Sequence, residues 1–84
     1  MKAQKKRNLE QGEEALDILA ALDFRVKQFS PYHFRINERL DVWPSSKSTR
    51  DLQLKTKEGY TDLVEFVRHH FKYIDEFTNS IQII

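Results

Sequence analysis

Cysteine is absent from the 84-residue chain, which excludes disulfides, thiol nucleophiles and cysteine-ligated zinc. Only two glycines occur, so no glycine-rich loop can cradle a phosphate. No apolar run approaches the roughly 20 residues that a bilayer span requires. The basic start, Lys2, Lys5, Lys6 and Arg7, leads into Leu9-Glu10-Gln11-Gly12-Glu13-Glu14, where a secretory signal would place an apolar core. A cytoplasmic protein without membrane contact is expected. No Gly-x-Ser-x-Gly elbow surrounds Ser45, Ser46 or Ser48. His69 and His70 are adjacent, and adjacent helical side chains diverge by about 100°. With His33 as the only other histidine, a metal site would need all three to converge. Asp41 and Asp51 have no sequence signature of a paired acid and base. The sequence therefore predicts a non-enzymatic protein with no catalytic residue, no metal and no cofactor.

What the chain does hold is aromatics, 12% of residues, and charge, 32%, at a net charge of only +1. The charge is segregated. Residues 1–8 carry +4, residues 9–23 carry −5, residues 24–59 carry +4 and residues 60–84 carry −2. A basic middle between acidic segments fits two acidic helices over a basic sheet, and fits an anionic partner as well.

Hydrophobic periodicity supplies the elements. Ala15, Ile18, Leu19 and Leu22 recur at helical spacing, with Leu16 widening the stripe, and place a helix near residues 9–22 with Asn8 as its cap. Phe24-Arg25-Val26-Lys27 alternates with period two, Ser30-Pro31 breaks it, and Tyr32 to Ile36 alternates again. Asn37-Glu38-Arg39 turns the chain into Leu40 to Trp43, which completes a hairpin. Leu52 and Leu54 suggest a further strand near residues 50–55. Thr61 caps a second helix whose stripe is Leu63, Phe66, Val67, His70, Phe71 and Ile74, with Thr78-Asn79-Ser80 at its end. The expected fold is α+β, with one antiparallel three- to four-stranded sheet and two helices on one face, in the order α-β-β-β-(β)-α. Residues 1–8 form a basic N-terminal arm, 9–77 the domain and 78–84 an apolar tail.

A sheet covered on one face leaves the other open. Alternation assigns Phe24, Val26, Tyr32, Phe34, Ile36, Leu40, Val42, Leu52 and Leu54 to the covered face. Arg25, Lys27, Phe29, His33, Arg35, Asp41, Trp43, Asp51, Gln53 and Lys55 go to the open one. With Lys47 and Arg50 of the adjoining loop, the candidate binding residues are Arg25, Lys27, Phe29, His33, Arg35, Trp43, Lys47, Arg50 and Lys55. Basic side chains hold phosphates while aromatics stack on bases, and Trp and Arg also anchor protein interfaces.

The order α-β-β-β-α resembles the double-stranded-RNA-binding domain, with Ser30-Pro31-Tyr32-His33 near that family's Gly-Pro-x-His loop. That family opens its second helix with a basic cluster. Here the helix opens Thr61-Asp62-Leu63-Val64-Glu65, which repels phosphate. The run from Tyr32 through Trp43-Pro44-Ser45-Ser46-Lys47, followed by Gly59 and the helix from Leu63 to Phe71, resembles small phage and prophage proteins over residues 14–71. It lacks a glycine after Ser46. The resemblance implies an accessory protein of a mobile element. The first expectation is capture of a host or phage protein through the basic, aromatic face. Nucleic-acid binding is the alternative, and self-association into a homo-oligomer is a third.

Overall fold

The computed structural model describes residues 3–82, and side chains over residues 3–74. Helix α1 spans Ala3–Ala21 and helix α2 spans Leu63–Gln82. Between them run five strands: β1 (Val26–Ser30), β2 (His33–Ile36), β3 (Leu40–Trp43), β4 (Ser48–Asp51) and β5 (Thr56–Gly59). All pairings are antiparallel and the strands lie in sequence order, so the sheet is a simple meander. The fold is α+β as expected, with one strand more than the upper expectation.

Both helices lie on one face. Phe34, Ile36, Leu40 and Val42 point to the same side and meet Leu16 and Leu19 of α1 and Leu63 and Val67 of α2. The α2 stripe is as expected. Its cap lies one residue later, because the Asp62 carboxylate accepts the Glu65 N–H at 3.1 Å. The helix continues through Thr78-Asn79-Ser80 to Gln82. The side chains of the expected apolar tail, and residues 83–84 entirely, lie outside the described residues.

Helix α1 departs from the sequence reading in two ways. It starts at Ala3, so most of the expected basic arm is helical, and Asn8 is no cap but bonds through its side chain to the Ser45 carbonyl at 3.2 Å. Its buried stripe is Gly12, Leu16 and Leu19, flanked by Leu9, while Ile18 and Leu22 are exposed. Gly12 explains the rotation. A Cβ at this position would stand 2.3 Å from the Pro44 Cβ, so only glycine lets α1 settle on the 3-10 turn Pro44–Ser46. The helix closes on Asp23, which takes a left-handed φ of 71° while Phe24 N–H reaches the Leu19 carbonyl at 3.0 Å.

The second correction concerns β4 and β5. Residues 52–55 form a turn, not a strand, and Leu52 and Leu54 are exposed in it. Strand β4 is Ser-Thr-Arg-Asp, with Thr49 and Asp51 inward. Asp51, expected on the open face, is 1% exposed. Its carboxylate accepts Arg39 Nε at 2.9 Å, the Gln53 N–H at 2.9 Å and the Leu54 N–H at 2.7 Å, and it meets His70 Nε2 at 2.7 Å. Tyr32 also leaves the covered face, for the β1–β2 turn, where it is half-exposed.

Two outcomes follow for stability. Gly12→Ala gains about 1 kcal/mol of helix propensity but overpacks against Pro44, which costs about 1–3 kcal/mol. A melting temperature at or below that of the wild type is expected, and a clear rise would refute the close approach. Burial raises the Asp51 pKa, but the bonds from Leu54, His70, Arg39 and Gln53 outweigh it and hold the carboxyl below its ordinary value. Its stabilisation is therefore complete above the unfolded value of about 4 and is lost as pH falls through the lower folded value. Asp51→Asn should cost about 3 kcal/mol or more at neutral pH, because it leaves Arg39 without its charge partner. Urea titrations from pH 7 to pH 2 should show the gap between variant and wild type closing at the acid end.

Candidate functional site

The register builds the open face as two cross-strand rows. Lys27 pairs with Arg35, Arg35 with Asp41, Asp41 with Arg50 and Arg50 with Lys57, one residue from each strand. Arg25 precedes this row by two residues on the β1 side, within 3.9 Å of Glu38. The second row reads Phe29, His33, Trp43, Ser48 and Gly59. Phe29, two residues after Lys27 and beside a bulge between Gln28 and Ser30, shares this face, and its ring stacks on His33 at 5.2 Å. His33 in turn stacks on Trp43 at 4.8 Å, with planes 9° apart.

Asp41 sits at the centre of the first row and is 5% exposed although it belongs to the open face. Arg35 covers it with a bidentate pair, Nε at 2.6 Å and a terminal nitrogen at 3.3 Å. His33 Nε2 lies 3.2 Å from the same carboxylate. The hydrogen bond to Asp41 raises the Arg35 pKa further, ahead of the opposing effect of desolvation. Arg35 also lies 4.6 Å over the Phe29 ring, and Lys27 Nζ lies 5.3 Å from it. Asp41 is thereby neutralised within the sheet. Lys27, Arg50 and Lys57 make no ion pair among the described residues.

Most sequence candidates converge here: Arg25, Lys27, Phe29, His33, Arg35, Trp43 and Arg50. Two do not. Lys47 takes a left-handed φ of 50° after the 3-10 turn and lines a concavity shared with α1, while Lys55 lies in the β4–β5 turn. Lys57 was missed, because a strand drawn over 50–55 leaves 57 in a turn. The alternation Thr56-Lys57-Glu58-Gly59 carries no apolar residue that would have marked it.

Among the described residues no group of three or more His, Asp or Glu could hold a metal ion. Burial pushes the Tyr60 phenol up to about 12, so it stays protonated at neutral pH and offers no nucleophile. His69 is exposed beside Glu65 at 3.4 Å. Among the described residues no helix is long and apolar enough to cross a membrane. The chain matches no family model, no curated protein and no solved structure.

Asp41 makes the geometry testable. Asp41→Asn keeps the shape but removes the charge that holds Arg35 over the Phe29 ring. A loss of about 1–3 kcal/mol is expected, with a changed emission of Trp43, the only tryptophan. Unchanged denaturation and emission would mean that the aromatic stack stands without its carboxylate.

Proposed function

We propose that this protein is a non-catalytic accessory module of phage or prophage type that binds single-stranded nucleic acid through its open sheet face. The observation that carries this reading is the set of cations without an ion pair among the described residues, Lys27, Arg50 and Lys57, ranged on both sides of an internally neutralised Asp41 and beside an aromatic row. Four strand spacings separate Lys27 from Lys57, roughly 19 Å, which spans several phosphates of an extended strand. Aromatic rings beside such a track are the stacking platform that sequence-tolerant single-strand binding uses. Helix α2 offers phosphate an acidic start, Asp62 and Glu65, so a duplex laid along it is disfavoured.

A second reading, capture of an acidic host or phage protein, draws on Phe29 and Tyr32, each 46% exposed at the β1–β2 end. Apolar knobs of this kind anchor protein partners. The two readings separate by salt.

Fluorescence anisotropy with labelled single- and double-stranded DNA and RNA tests the proposal. Three to four phosphate contacts predict a log–log salt slope of roughly −2 to −3 for single strands, or about 20- to 50-fold weaker binding at 200 than at 50 mM salt. Arg50→Ala or Lys57→Ala should weaken binding to all sequences and flatten the slope by about 0.7 each. Absence of binding at 50 mM salt would overturn the reading.

A further inference from the structure

We propose that the open face contains a slot for one nucleobase, with Trp43 as its wall, Ser48 as its floor, and Arg50 and Lys57 beside it for the attached phosphate. The inference rests on the nucleic-acid reading and narrows it to a place and a ligand chemistry.

The aromatic row is a stack that stops short. The rings of Phe29, His33 and Trp43 follow one another across adjacent strands, and the 4.8 Å step from His33 to Trp43 matches the strand spacing of about 4.8 Å. With planes 9° apart, the His33 and Trp43 rings stand up from the sheet and face each other. One face of Trp43 is thereby taken by His33. The other looks along the same row, where the next residues are Ser48 and then Gly59. These are among the smallest side chains available, and they leave a concavity of about 510 Å³ bounded by Trp43, Arg50 and Lys57. Glu58, the carboxylate of that wall, alternates with Lys57 and Gly59 and so is aimed at the opposite face. Gly59 adds no side chain to the row, and a Cβ there would touch the Lys47 carbonyl at 3.4 Å.

A planar ring set above Ser48 continues the stack by one step. Arg50 and Lys57 lie two residues from Ser48 and Gly59 along their strands, roughly 6.8 Å away. An uncharged aromatic would make no use of those two cations. A bare phosphate would make no use of the tryptophan face. A base carrying its phosphate uses both, and either a free nucleotide or a residue of a single strand presents that chemistry.

Trp43 is the only tryptophan, so its emission reports on the slot directly. The 84-residue chain is titrated with a labelled deoxyadenosine decamer, following anisotropy and Trp43 quenching together, and separately with adenosine monophosphate. The decamer is expected to quench Trp43 saturably at the concentrations that raise anisotropy. Ser48→Val fills the slot with a β-branched residue that suits a strand and packs on the facing tryptophan, so its melting temperature should hold. It should weaken decamer binding about tenfold or more and abolish the quench. Ser48→Thr is the second variant, since it retains a hydroxyl for the 2.7 Å bond to Ser46 and still places a methyl in the slot. Quenching by the monophosphate as well identifies the nucleotide itself as ligand, and quenching by the decamer alone identifies a strand. Binding of the decamer without quenching, and unchanged in both variants, would overturn the slot while leaving the nucleic-acid reading intact. Loss of all binding in the wild type would overturn both.

Discussion

A single buried carboxylate, Asp51, sets the geometry of the C-terminal half of the sheet. Burying a charge is expensive unless it is paired and hydrogen-bonded, and Asp51 is both. It receives the turn that follows it, through the Gln53 and Leu54 N–H groups. It receives the end of the β2–β3 hairpin through Arg39 and the middle of α2 through His70. Three parts of the chain that are distant in sequence therefore meet on one side chain. The more important consequence concerns register. Strand β4 contains no apolar residue, so the hydrophobic effect cannot choose which of its faces turns inward. Asp51 and Thr49, whose hydroxyl bonds the Glu58 carbonyl at 2.9 Å, make that choice instead. Shifting by one residue would exchange the faces. With Asp51 inward, Ser48 and Arg50 must face outward, and pairing then brings out Lys57 and Gly59. The chemistry of the open face follows from where one carboxylate is buried.

This also explains which parts of the fold were legible in the sequence. Strands β1 to β3 alternate apolar and polar residues, and the face of Arg25, Lys27, His33, Arg35 and Trp43 could be read directly from that pattern. The stripe of α2 was equally plain. Strand β4 has no such pattern, and the nearby Leu52 and Leu54 imitate one that the structure does not use. Reading them as inward turned Asp51 outward, drew Lys55 into the site and left Lys57 out. Helix α1 misled for a different reason. Its most apolar stripe, with Ile18 and Leu22, is not the one that packs, because the docking contact is the absence of a side chain at Gly12. A contact made by a missing atom leaves no mark in hydrophobic periodicity.

The scarcity of glycine has a structural counterpart. Asp23, Asn37, Glu38, Lys47 and Lys55 all adopt positive φ, and neither glycine does. Such conformations cost an L-residue about 1–2 kcal/mol, which the surrounding structure must offset. Asn37 shows how. Its side chain accepts the Arg25 N–H at 2.8 Å while its own N–H reaches the Arg25 carbonyl at 2.8 Å, so the strained turn is pinned to the start of β1. The two glycines serve by having no side chain. Gly12 admits Pro44, and Gly59 leaves the end of the aromatic row empty.

Net charge is a poor guide to what such a molecule attracts. The chain is nearly neutral, yet α1 carries Glu10, Glu13, Glu14 and Asp17 beyond a basic start of Lys5, Lys6 and Arg7, while the cations of β1, β4 and β5 share the opposite surface. The single carboxylate at the centre of that surface is buried beneath Arg35 and His33 and contributes little field outward. A polyanion therefore meets an oriented charge distribution, in which the acidic stretch of α1 repels it and the cations of the sheet attract it. Attraction of this kind acts within a Debye length of about 8–10 Å at physiological salt, so it selects the face and leaves base contacts to act only after docking. The aromatic row is suited to that second step, because its rings are already packed on one another and Asp41 holds Arg35 over Phe29. A ring that joins the end of the row loses its own freedom but need not order the tryptophan it stacks on, which lowers the entropic cost of each stacking contact.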